Sequence, residues 1–96
     1  MSERIENIAK AVEAAAECPA SHVESVAVME TFRGQTMWEG MVEIFTLQGH
    51  AKAKRAYGWR TGTGKDARYT AVLELPPVES PNTAVRAAIA AQARKP

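Results

Sequence analysis

The sequence predicts an α+β domain. A four-stranded antiparallel meander is flanked by an N-terminal and a C-terminal helix, in the order α-β-β-β-β-α. Three observations lead there. The chain opens on a segment whose apolar residues recur every three to four positions, the period of a helix with one buried face. From Val23 to Leu75 it changes to short runs rich in Val, Thr, Met and aromatic residues, broken by glycine-bearing turns. It closes on a second helical pattern behind two prolines. Both helices are expected on one face of the sheet, which makes a two-layer fold.

In the first helix, Ile5, Ile8, Val12 and Ala15 form the apolar stripe, and Glu6 and Lys10 make an exposed pair one turn apart. Ser2 is placed to cap its start, and Pro19 cannot continue it. The strands are expected at 23–32, 37–47, 51–60 and 68–75, joined by "RGQT", "QGH" and "TGTGKDA". Connections this short can join only antiparallel neighbours. Pro76 and Pro77 end the last strand. Ser80 followed by Pro81 then reads as a helix start, with Val85, Ala88, Ile89 and Ala93 on the buried side. Arg94 and Lys95 suit the negative end of the helix dipole.

A tight turn at "LQGH", residues 47–50, sets a register for the middle two strands. One face then has Ile44 opposite Ala53, Val42 opposite Arg55, Gly40 opposite Tyr57 and Trp38 opposite Trp59. The other face has Phe45 opposite Lys52 and Glu43 opposite Lys54, with Glu39 near Arg60. The acids of "WEGMVE" would thus answer the bases of "AKAKR". Arg55 is left without an acid opposite and should find a partner elsewhere.

The totals bound the function classes. At 96 residues the chain is one domain, residues 1–96. The apolar fraction of 46% and charged fraction of 24% are those of an ordinary globular protein, and the net charge of +1 exerts no overall pull on nucleic acid or membrane. The charge is nonetheless uneven. Eight acids and three bases precede His50, whereas residues 50–68 hold six bases and one acid. No apolar run suits a membrane span, and the charged opening "MSERIENIAK" has no signal core. Cys18 is alone, which excludes an internal disulfide and fits a cytoplasmic protein.

No catalytic, cofactor-binding or metal-ligating set emerges. Cys18 and His22 straddle Pro19 with no third group to orient them. "TGTGKD" has the glycines and lysine of a phosphate loop but neither its spacing nor a following helix. Glu30, Glu39 and Glu43 would need a deep cleft to act as paired carboxylates. Two binding readings lead, and a third is a small-ligand binder or enzyme at the aromatic face near Trp38, Tyr57 and Trp59. In the first, Met37, Glu39, Met41, Glu43 and Phe45 form a mixed apolar and acidic sheet face that two helices on the other side cannot cover. It would join a second copy or another protein. In the second, Lys52, Lys54, Arg60, Lys65 and Arg68 grip RNA or single-stranded nucleic acid.

The run "METFRGQTMWEGMVEIFTLQGHAKAKRAYGW" and the later "LELPPVESPNTAVRAAI" resemble a set of short bacterial proteins of unassigned function. The resemblance implies a small bacterial cytoplasmic domain and no activity, cofactor or site residue. The sequence reading is a non-enzymatic interaction domain, homodimeric through its sheet face.

Overall fold

The computed structural model describes residues 3–62 and 64–93. Helix α1 (Glu3–Ala16) is followed by strands β1 (Ala20–Phe32), β2 (Gln35–Leu47), β3 (Arg55–Thr61) and β4 (Arg68–Leu73), then helix α2 (Pro81–Ala93). A 3-10 turn, Gly64–Asp66, lies between β3 and β4. The sheet order is β1-β2-β3-β4 with every pair antiparallel, which is the expected meander. The expected roles of Ser2, Arg94 and Lys95 fall outside the described residues.

Both helices start and stop for local reasons. In α1 the buried residues are Ile8, Val12 and Ala16, one turn apart; Ala15, expected in the stripe, is exposed. Glu17 closes the helix in the left-handed region at φ 57°, its amide still bonded to the Glu13 carbonyl. The Glu13 carboxylate then accepts from the Ala20 amide and ties the helix end to β1. Ahead of α2, the Thr83 amide donates to Ser80 Oγ, while Thr83 Oγ1 accepts from the Glu79 and Ser80 amides. This is a reciprocal cap in which threonine takes the place usual for Glu or Gln.

β1 and β2 are each 13 residues long, about twice the length of β3 and β4. Their far half therefore projects beyond the rest of the sheet. The connection is a two-residue turn, Arg33 and Gly34, at φ 52° and 79°. Positive φ at both central residues matches the twist of a hairpin. The register shifts between His22 and Glu24, leaving Val23 as an extra residue in β1. It shifts again between Glu30 and Thr31, where the extra residue is Met37 of β2. Both bulged side chains are more than half exposed.

The β2–β3 register differs from expectation. Ile44 pairs with Tyr57 rather than Ala53, a displacement of four residues. The tight turn is replaced by a connection over 48–54, organised by His50, whose Nδ1 accepts from the amides of Lys52 and Ala53. Burial explains the preference. Under the expected register Lys52 and Lys54 would face Phe45 and Glu43, both fully buried beneath α1. Desolvating two ammonium groups there is costly. The observed register puts Ala56 and Gly58 in those places and leaves both lysines in water.

The helices flank the sheet, one on each face, so the layering is α/β/α and not two-layered. On one side Ile8 and Val12 of α1 pack with Phe45 and Ala56. On the other, Ala84 and Val85 of α2 pack with Val28, Val42, Ile44, Tyr57 and Trp59. The physical sign is burial of consecutive strand residues. Val42, Glu43, Ile44 and Phe45 are all buried, as are Ala56, Tyr57, Gly58 and Trp59. A strand covered on one side only would alternate. α1 sits very close, since a Cβ at Gly58 would lie 2.6 Å from Ile8 Cγ2 and 3.0 Å from Val12 Cγ2. No helix among the described residues is long and apolar enough to cross a membrane.

Candidate interaction surface

α1 divides its face of the sheet into a covered and an uncovered part. Under the helix, Glu43 is fully buried and completely satisfied. Arg4 donates to its Oε2 at 3.0 Å, His22 Nε2 lies 2.8 Å from its Oε1, and Ser25 Oγ donates to the same oxygen. Burial by itself would raise the Glu43 pKa. The bonds from Ser25, His22 and Arg4, with the Arg4 charge, outweigh it and hold the carboxyl below its ordinary 4.5. The His22 ring also stacks edge-on against Phe45, with centroids 5.4 Å apart. Glu43 and Phe45 are thus part of the α1 seat. The expectation that they form a contact face is corrected, because it assumed no helix on that side.

Beyond the reach of α1 the same face continues onto the projecting hairpin. Here Ala27 pairs with Met41 and Met29 with Glu39. Met29 is 55% exposed and Met41 42% exposed, and Ala27 and Glu39 are also exposed. Ala27, Met29, Glu39, Gly40 and Met41 line a shallow hollow of about 470 Å³. Of the five residues expected at an interface, Glu39 and Met41 are therefore brought together on this patch. Met37 is exposed at its bulge on the hairpin tip. Met29 and Ala27 were missed. The alternation "AVME" against "WEGM" could have found them once β1 was paired with β2.

The basic residues of the alternative reading do not gather. Lys52 and Lys54 lie in the 48–54 connection, whereas Arg60, Lys65 and Arg68 surround the β3–β4 turn at the opposite end of β3. A seven-residue strand separates the groups by roughly 20 Å. All five are exposed. The expected pairing of Lys54 with Glu43 and of Arg60 with Glu39 is overturned. Among the described residues the ion pairs are Arg4–Glu43, His22–Glu43 and Arg86–Glu30, and none uses a base from 50–68. Arg55, expected to need a partner, is exposed at the start of β3 and needs none.

The α2 face carries the aromatics. The Trp38 and Trp59 rings meet edge-on with centroids 5.6 Å apart, although paired residues stop at Glu43↔Gly58. The ring over Gly40 is that of Trp38, not Tyr57, since a Cβ there would lie 3.0 Å from Trp38 Cη2. Tyr57 is buried and donates its hydroxyl to Glu74. Burial first, then the Glu74 hydrogen bond and charge, push its pKa well up. On the same face Glu30 accepts from Asn82 at 2.9 Å and from Arg86 Nε at 2.5 Å. The Asn82 and Arg86 bonds hold its carboxyl below the ordinary range.

The three carboxylates weighed as an acid–base set are thus split between faces, Glu30 on the α2 side and Glu39 and Glu43 on the α1 side. His22 is engaged by Glu43. No group of three His, Cys, Asp or Glu among the described residues is arranged to hold a metal ion. Comparison with protein-family models, curated proteins and solved structures gives no match, so the functional reading rests on geometry.

Proposed function

We propose that this chain is a protein-interaction domain that associates with a second copy of itself through the sheet surface α1 leaves uncovered. The observation that carries the reading is the exposure of Met29 and Met41 around one hollow with Ala27. Flexible, polarisable methionine side chains suit a surface that must adapt to a partner. Charge supports a two-fold partner. Glu39 lies on β2 within the patch, and Arg60 of β3 lies on the same face, two residues beyond Gly58. Neither has an ion-pair partner among the described residues. A two-fold axis through the methionines would bring each acid toward the other copy's base.

The test is sedimentation velocity across micromolar concentrations. The wild type should show a concentration-dependent dimer. Met41→Lys should sediment as a monomer with an unchanged thermal transition, since the side chain is exposed in the single chain. A wild type that stays monomeric at high micromolar concentration ends the proposal.

The unpaired bases favour one second reading, nucleic-acid contact at the β3–β4 end through Arg60, Lys65 and Arg68. Three phosphate contacts give a log–log salt slope of roughly −2 to −3. Fluorescence anisotropy with labelled RNA at two salt concentrations measures it, and no binding at low salt removes it.

A further inference from the structure

A second concavity lies on the other side of the sheet, where α2 passes under the hairpin tip. Phe32, Met37, Ile89 and Ala90 wall a cleft of about 290 Å³, with Glu30 and Arg86 at its polar end. That volume is at the lower limit for small-molecule sites. A recess of about 100 Å³ adjoins it, shares Ile89 and is lined by Trp38 and Trp59. The cleft exists because the hairpin overhangs and the Met37 bulge turns an apolar side chain toward α2.

The polar end favours an anion. Both Glu30 oxygens are occupied, one by Asn82 and one by Arg86 Nε. Arg86 spends only that nitrogen. Among the described residues its terminal nitrogens make no hydrogen bond, and its side chain is 66% exposed. A guanidinium with its terminal nitrogens open is matched by a carboxylate. A second cation stands close by, with Arg33 placed 5.2 Å from the Phe32 ring centroid. Within the wall Glu30 and Arg86 balance in charge, so the preference for an anion comes from the open Arg86 nitrogens, with Arg33 beside the Phe32 ring but off the wall.

We propose that this cleft binds a small amphipathic monocarboxylate, its apolar body between Phe32, Met37 and Ile89 and its carboxylate on the open side of Arg86. The site is on the opposite face from the methionine patch, so it stands or falls independently of self-association.

Octanoate and the neutral octanol are the probes, below the micelle concentration. The chain's two tryptophans, Trp38 and Trp59, both line the adjoining recess, so intrinsic fluorescence reports occupancy. Octanoate should give a saturable change, with octanol at least tenfold weaker, the loss expected of a charge-assisted hydrogen bond. Arg86→Gln should bring octanoate down to the level of octanol. Met37→Asp should abolish octanoate binding while leaving the thermal transition in place, since Met37 is exposed. Equal binding of the two probes, or octanoate binding that survives both substitutions, would overturn the proposal. So would silence of both the fluorescence and the amide resonances of Phe32, Met37 and Ile89.

Discussion

At the scale of single residues, Glu43 is the most constrained group in the protein. It is fully buried, yet its two oxygens receive Arg4 from α1 and His22 and Ser25 from β1. A buried carboxylate so satisfied stabilises the fold only while it is ionised. Because its folded pKa lies below the ordinary 4.5, its contribution is complete above that value and is lost as pH falls through the folded pKa. Stability should therefore decline on acidification below about pH 4.5. Glu43→Gln should be less stable at neutral pH and should show a shallower acid limb, measured by urea unfolding at a series of pH values. Equal acid slopes in the two proteins would show that other carboxylates carry the acid transition; Glu30, also depressed by Asn82 and Arg86, is the obvious one.

Gly58 acts by what it lacks. An alanine methyl would meet Ile8 Cγ2 at 2.6 Å, inside any real contact distance. The helix must then lift or Ile8 must change rotamer. Gly58→Ala should cost about 1–3 kcal/mol, the usual penalty of overpacking, read from the shift in the urea midpoint. Ile8→Ala in the same chain should recover part of the loss.

At the scale of elements, the seating of α2 depends on its start. Ser80 and Thr83 exchange hydrogen bonds that satisfy the orphan amides of the first turn. Ser80→Ala should cost about 1 kcal/mol, visible in the thermal midpoint. This cap could be read directly from "SPNT", because Ser before Pro at a helix start is a local signal. The helices, the strand number and the meander were legible for the same reason. What escaped was set by non-local burial. The β2–β3 slip of four residues is even, so each side chain keeps its face and the alternation pattern is blind to it. Only the cost of placing Lys52 and Lys54 beneath α1 decides between the two registers. The layering did leave a trace, because "VEIF" carries apolar residues on both faces of one strand. The methionine patch was half legible. Met41 and Glu39 stood out by sequence, but the reach of α1 over Phe45 and Glu43 did not.

At the scale of the whole molecule, the two concave surfaces belong to one structural cause. β1 and β2 outrun the shorter half of the sheet, so α1 leaves the hairpin's far end bare and α2 meets it only across a cleft. One side of the overhang shows methionines, and the other closes a cleft against α2. Phe45→Glu separates the association reading from a fold defect. The residue is fully buried, so this substitution should unfold the chain, whereas Met41→Lys should only dissociate it. Circular dichroism beside sedimentation distinguishes the two outcomes.

The sandwiching of β2 and β3 also has a consequence in time. Residues 42–45 and 56–59 are shielded by an apolar layer above and below, and their amides are bonded within the sheet's interior strands. Solvent can reach those amides only when both layers part, which amounts to global opening. The hairpin tip at 31–37 has water on most sides and can open alone. Native-state deuterium uptake should thus fall into two classes along the same strand, β2. The tip end should exchange through local fluctuations, and the four residues that end at Phe45 only as fast as the entire protein unfolds.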